Sequence, residues 1–300
     1  MKEWVNGGLM QKYGYFLLGA ILCVPVQSSA EIAIGGWVGL EYDGGTSGTS
    51  AHLRTNTLVS YTTGDFIAGI GIYNEWVQFS GGFAGNPVEP YILLGYGNVV
   101  ASYGSIYGAG NLFPEDYFGM SDTTSVSDQV LRLDFNFGAH NFAISNDLNG
   151  ASISEIELGY SGRFQEYDVA FGYEADSTEL ALLIGRDFGN WGVQVATVQD
   201  TGIAVGPWDH AGVSLFHDFT SGLTIGGNIA HGTNGTVGLL SYGLILNYDT
   251  GFALIKAEYV RDEVADSHDF ELGFIIPFGK KQPSAGARFE MHEYLGRYVR

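Results

Sequence analysis

The chain is poor in cations, in cysteine and in helical pattern, and each shortage excludes something. Lys and Arg together number 13 against 33 Asp and Glu, a formal net charge of -20. A face basic enough to grip phosphates cannot be built from that inventory, so nucleic acid is excluded as a partner. Charged residues of all kinds make up only 15% of the chain, a low share for a globular protein, yet 45% hydrophobic residues place it far from disordered compositions. The single cysteine, Cys23, lies inside the apolar N-terminal run "YFLLGAILCVPV" (15–26). Disulfides, cysteine–zinc centres and a cysteine nucleophile are therefore excluded from the rest of the chain. That run is too short for a spanning helix. Lys12 precedes it, and "QSSA" followed by Glu31 closes it. This is the layout of a secretory signal peptide over residues 1–30, with cleavage expected after Ala30 and Met10 giving a leader of more ordinary length than Met1. Leu22 before the cysteine, where a small residue is needed, speaks against a lipoprotein.

What is abundant is glycine, at 45 residues, with 18 Tyr and 19 Phe. The glycines show no three-residue collagen period. After Glu31 apolar residues recur at every second position, the strand period. In "DQVLRLDFNFG" (128–138), Leu131, Leu133, Phe135 and Phe137 share one face and Arg132, Asp134 and Asn136 the other. In "SEIELGYSGRF" (154–164), Ile156, Leu158 and Tyr160 oppose Glu155, Glu157, Ser161 and Arg163. About sixteen such segments run from 31–43 to 269–278. Their connections alternate in length. "TTGD" (62–65), "GYGN" (95–98), "GAH" (138–140), "QEY" (165–167), "FGN" (188–190), "TSGL" (220–223) and "DTG" (249–251) are tight turns rich in Gly, Asn and Asp. "DGGTSGTS" (43–50), "FSGGFAGNPV" (79–88), "TGIAVGPW" (201–208) and "DEVADSH" (262–268) read as longer loops. The longest patternless stretch is "GNLFPEDYFGMSDTTSVSD" (110–128). A loop of that length inside a compact domain signals a function.

Soluble sandwiches and ligand barrels also alternate apolar and polar residues, but they keep the apolar face inside. Sixteen strands close into a ring too wide for side chains to fill. The inward side of each segment reads as polar and charged, so the apolar side must face outward, where only lipid accepts it. About ten residues at roughly 3.4 Å each, tilted near 45°, span about 24 Å, the height of an outer-membrane apolar band. Tyr61, Tyr73, Trp76, Trp191, Trp208 and Tyr248 fall near segment ends, where aromatic girdles belong. The expected fold is an all-β transmembrane antiparallel barrel over residues 31–278.

On these features the chain resembles the Gram-negative general porin superfamily, and most of all the porins of alphaproteobacteria. The resemblance covers roughly residues 31–278 and rests on the leader, the sixteen-segment alternation, the short turns opposite long loops, and one long acidic loop between segments five and six. It implies a third long loop, about 108–127, folded into the barrel to narrow a pore. It places Glu115, Asp116 and Asp122 at that constriction and wall arginines across from them. Arg54, in phase with Asn56 and Ser60, and Arg132, in phase with Asp134 and Asn136, read as inward. Further lumen candidates are Arg163, Arg186, Asp134, Glu157 and the pair Lys256 and Glu258. Salt bridges within the lumen are the alternative role for Arg54 and Arg132. A lipid-facing arginine would cost about 2–4 kcal/mol at mid-membrane. Opposed charges across a narrow pore orient polar solutes, and the excess of acids favours cations. The implied function is an outer-membrane channel for passive diffusion of small hydrophilic solutes and ions, with membrane lipid as a partner and a homotrimer as the assembly.

Two other readings stand beside it: a non-conducting structural or adhesive barrel, and a barrel enzyme. The sequence holds no P-loop, dinucleotide or G-x-S-x-G pattern. No cofactor is expected. His210 and His217 fall on opposite faces of one segment, and no histidine pair combines metal-ligand spacing with a well-placed carboxylate. Calcium on loop carboxylates is the alternative, without an EF-hand spacing. The end of the chain is anomalous. After "DFELGFIIPF" (269–278) comes the basic stretch 279–300, read as a periplasmic tail, with an extra closing segment "RFEMHEYLG" and a partial plug as alternatives.

Overall fold

The computed structural model describes residues 30–279 apart from 47, 80–81, 86–87, 113–125, 149–155, 176–178, 201–207, 234–237 and 264–265. Among these residues the chain forms seventeen antiparallel strands in a single sheet: β1 (Glu31–Gly45), β2 (Gly48–Thr63), β3 (Phe66–Phe79), β4 (Gly82–Gly85), β5 (Glu89–Tyr96), β6 (Val99–Tyr107), β7 (Val126–Phe137), β8 (His140–Asp147), β9 (Ile156–Phe164), β10 (Tyr167–Glu174), β11 (Glu179–Phe188), β12 (Trp191–Asp200), β13 (Trp208–Asp218), β14 (Leu223–Thr233), β15 (Gly238–Asp249), β16 (Leu254–Asp262) and β17 (Ser267–Gly279). β17 pairs with β1 from Gly35↔Gly279 to Gly45↔Asp269, so the sheet closes on itself. β4 and β5 both pair with β3, at Trp76–Phe79 and Phe66–Tyr73 respectively, and are two halves of one interrupted stave. The result is a closed barrel of sixteen staves. Closure removes the unpaired strand edges that an open sheet would expose.

Tight turns gather at one end because their residues accept a left-handed backbone. Gly64, Gly97, Gly138 and Gly189 have φ of 56°, 58°, 65° and 67°. At the other end two connections are shorter than the sequence suggests. The sequence reads residues 43–50 as a long loop, but β1 and β2 stay paired as far as Gly45 and Gly48. Residues 79–88 likewise contain β4, with Phe79 paired to Gly82. Glycine-rich runs have no side chains to show alternation, so ladder pairing there has no signature in sequence.

The two faces of the wall differ sharply. On β7, Val130, Arg132 and Asp134 are buried while Leu131, Leu133 and Phe137 are exposed. On β15, Leu240, Tyr242, Leu244, Leu246 and Tyr248 are exposed against buried Ser241, Ile245 and Asn247. The outward face is thus a continuous apolar band. Tyr96, Phe137, Phe164, Tyr167, Phe188, Trp191, Phe219 and Phe252 edge it at the tight-turn end; Tyr42, Tyr242, Tyr259 and Phe270 edge it at the other. Tyr73, expected in such a girdle, is 98% buried on the inner face, in phase with Gly69, Gly71 and Glu75, and packs 6.4 Å from the Trp37 ring.

The inner face is less polar than the alternation suggests. Leu58, Tyr91, Leu93, Val100, Ile106 and Val130 form one inward cluster, and Ala170, Ala181, Leu183, Ala196, Val198 and Ala230 another. Neighbouring inward side chains on adjacent strands lie close enough to cover one another, and a fully buried aliphatic chain contributes about 1.5–3 kcal/mol. Tyr91 shows how this is arranged. Its ring lies over Gly71, where any Cβ would come within 1.9 Å of it, and its hydroxyl donates to Asn56 Oδ1 at 2.9 Å.

Candidate functional site in the lumen

The inner loop begins directly after β6, and its root is fixed to the wall. A register shift between Gly104 and Ile106 in the β6–β7 ladder re-aims the chain. Ser105 then donates to Glu89 Oε2 at 2.8 Å. A short 3-10 helix, Ala109–Leu112, follows and packs on the inward faces of β8, β9 and β10. Ala109 N donates to Ser145 Oγ at 2.7 Å, and Gly110 N donates to Glu157 Oε2 at 3.0 Å. Gly159 makes the seat possible: a Cβ there would lie 1.8 Å from the Ala109 carbonyl oxygen. The described root of the loop, residues 108–112, is therefore seated against the inner wall.

Arg132 is the central fastener. It is 99% buried, and its Nε and Nη2 donate to Asp134 at 2.7 to 3.1 Å. Its Nη1 donates to the Gly108 carbonyl at 2.8 Å and the Tyr107 carbonyl at 3.4 Å. The planar guanidinium suits this task, because it can satisfy a carboxylate and two carbonyls in one fixed plane.

A second charged group lines the wall on β16, β17, β1, β2 and β3. Arg54 Nη1 meets Glu41 Oε2 at 2.7 Å, and its Nε meets Glu75 Oε1 at 2.8 Å. His52 lies between Asp43 Oδ2 at 3.1 Å and Glu75 Oε1 at 2.9 Å. Lys256 Nζ bridges Glu258 at 3.1 Å and Glu271 at 3.2 Å. Among the described residues this belt holds two permanent cations and five carboxylates. In such half-buried pairs the Coulomb attraction is offset by the cost of taking the charges out of water, and their charges shape the field in the lumen. With β4 and β5 taken as one stave, β10 stands eight staves from β1, half way around the ring. The belt thus faces the seat of the loop across the barrel.

The sequence-derived candidates distribute as follows. Arg54, Lys256 and Glu258 meet in the belt; Arg132, Asp134 and Glu157 meet at the loop seat. Arg163 lies on the inner face 3.7 Å from Asp168. Arg186, expected in the lumen, is outward. It is in phase with exposed Leu180, Leu182 and Ile184, ion-paired to Glu166, and stacked 5.1 Å from the Tyr167 ring centroid and 4.7 Å from that of Phe188. It sits at the tight-turn rim, where an outward cation costs far less than at mid-band. Glu115, Asp116 and Asp122, the leader and the stretch 280–300 lie outside the described residues. Ring closure itself is made by β17 against β1. Sequence reasoning missed the acids of the belt, Glu41, Asp43, Glu75 and Glu271, and with them His52.

No protein-family profile and no curated protein sequence matches the chain. Solved structures do. An engineered protein described under "Asymmetric conductivity of engineered proteins" superposes with a TM-score of 0.65 at 15% identity, over 83% of this chain and 100% of its own. The fold is porin-type. A variant of Rhodopseudomonas blastica porin superposes at TM-score 0.64 and 13% identity, again over 83% of this chain and all of the other. A second variant of that porin gives 0.65 at 15% identity with the same coverage. The porin-type barrel is thus shared with these structures at 13–15% identity.

Proposed function

We propose that this porin-type barrel is an outer-membrane channel through which small hydrophilic solutes and ions diffuse passively, with a preference for cations and without catalysis. The observation that carries this reading is the loop root seated on the inner wall opposite a charged belt, inside a barrel whose outer face is apolar. A barrel built only as a scaffold gains nothing from an inward loop fastened by a buried arginine. The outward band supports a lipid partner, because a contiguous apolar surface of this size is not left in water. The belt's five carboxylates and two cations support cation preference, and Glu115, Asp116 and Asp122 in the sequence of the loop add to it. Arg54 and the loop acids are read as the constriction; Arg132 is read as the loop's fastener. For a homotrimer, the polar residues Thr55, Thr57 and Asn74 on the outward side of β2 and β3 are the favoured contact, with Asn74 Nδ2 donating to Thr55 Oγ1 at 3.4 Å.

The test is planar-bilayer conductance of the refolded mature protein under a salt gradient, with a Glu115→Gln, Asp116→Asn double variant alongside. Discrete steps, a cation-signed reversal potential and weaker selectivity in the variant are expected. A folded, inserted protein that gives no steps overturns the diffusion reading and leaves a structural barrel. Chemical crosslinking in detergent, with Asn74→Leu as the comparison, tests the trimer.

A further inference from the structure

Within the belt, one group of side chains has the geometry of a cation site. Glu41 and Asp43 stand on β1 and His52 on β2, all directed inward, and the hairpin register places Glu41 directly across from His52. One donor atom from each of the three lies within 4.8 Å of the others. All three are half-buried, so they are held firmly yet remain reachable from the lumen.

His52 is bracketed by acceptors. Its Nδ1 is 2.9 Å from Glu75 Oε1 and its Nε2 is 3.1 Å from Asp43 Oδ2. Ser50 Oγ, 3.0 Å from Nε2, donates to the same Asp43 oxygen at 3.1 Å. Arg54 Nη2 also lies 3.4 Å from Nδ1, so that side of the ring is already held by a guanidinium and a carboxylate, while Nε2 faces Ser50 and Asp43. In the tautomer whose Nδ1–H donates to Glu75, the Nε2 lone pair is left on the side of Asp43. A carboxylate holding the far nitrogen of a ligating histidine is the usual outer support of a metal site.

We propose that Glu41, Asp43 and His52 form a binding site in the lumen wall for a divalent transition cation of the Zn2+ or Ni2+ kind. The donor set decides the class. A nitrogen donor between two carboxylates suits borderline metals, whereas Ca2+ and Mg2+ favour oxygen alone. Arg54 Nη1 donates to Glu41 Oε2 at 2.7 Å, so a cation stands directly beside the site. Its charge limits affinity, as befits a site an ion occupies and leaves. The inference adds a metal ligand to the proposed channel, but the site does not depend on conduction.

The test is Zn2+ titration of the refolded protein in detergent by calorimetry, with Cu2+ electron paramagnetic resonance to read nitrogen ligation. His52→Gln and Asp43→Asn are compared after circular dichroism shows both folded. One saturable site is expected, weakened about tenfold or more in both variants, with the nitrogen signature lost in His52→Gln. Glu75→Gln should weaken it by about 10- to 100-fold, as outer-support losses do. No saturable Zn2+ binding, equal affinity in His52→Gln, or Ca2+ binding as tight as Zn2+ each overturns the proposal. In bilayers, Zn2+ should also lower conductance in the wild type at concentrations that leave His52→Gln unaffected. A protein that binds Zn2+ without conducting would overturn the channel reading and leave the metal site standing.

Discussion

Replacing Arg132 by Met should be the most damaging single change on the inner wall. The side chain is 99% buried and makes hydrogen bonds to Asp134 and to the carbonyls of Tyr107 and Gly108. Met fills most of the volume but supplies no donor. Asp134, itself 95% buried, is left charged, and two carbonyls at the loop root lose a donor. Removing one partner of a buried ion pair costs about 3–5 kcal/mol, chiefly because the other charge stays behind. The double variant Arg132→Met, Asp134→Asn removes that charge too and should recover a large part of the loss. The assay is reversible urea unfolding in detergent micelles followed by tryptophan fluorescence, as a double-mutant cycle. Limited proteolysis should accompany it, with cleavage within 108–127 rising in the single variant because the root is no longer held. A loss under about 1 kcal/mol with unchanged proteolysis would refute the assignment of Arg132 as the loop's fastener.

Gly159→Val should lift the loop root, since its Cβ would lie 1.8 Å from the Ala109 carbonyl; an altered single-channel conductance with an otherwise intact barrel checks this. Arg54→Ala removes one of two belt cations and takes the guanidinium away from both Glu41 and Glu75, so the reversal potential under a salt gradient should move further in the cation direction. Leu244, near the middle of β15 and 65% exposed, should cost about 2–4 kcal/mol when changed to Arg, against about 0–1 for Tyr248→Arg at the rim, measured by the same unfolding assay.

Much of this architecture could be read from the alternation of residues, and the failures have identifiable causes. On β7 the contrast between Leu131 and Leu133 on one side and Arg132 and Asp134 on the other is sharp, and phase alone placed Arg132 inward. On β11 both faces are apolar, Leu180, Leu182 and Ile184 outward and Ala181 and Leu183 inward, so a period of two carries no contrast and Arg186 was put on the wrong side. Tyr73 was misplaced because an aromatic near a strand end has the same look whether it faces lipid or Trp37. The partnership of Glu41, Asp43 and His52 depends on a turn at Thr46 and a register of fifteen paired positions between β1 and β2, neither visible in a glycine- and serine-rich run. Sequence thus reports which face a residue takes on a contrasted strand. It reports poorly which residues on different strands share a level.

The junction of β1 with β17 differs from every other junction in the ring. Each of the other pairings joins strands that follow closely in the chain, and a hairpin of that kind forms in microseconds. The junction instead brings Gly35 to Gly279, more than two hundred residues away, and no local turn guides it. Until it forms, the curled sheet carries two free edges able to capture each other, another copy or a stray strand. Contacts of such sequence separation are formed at high entropic cost and late. The eleven paired positions from Gly35 to Gly45 therefore act as the timer of assembly, and substitutions along this seam should change how fast the barrel is born more than how long it lasts.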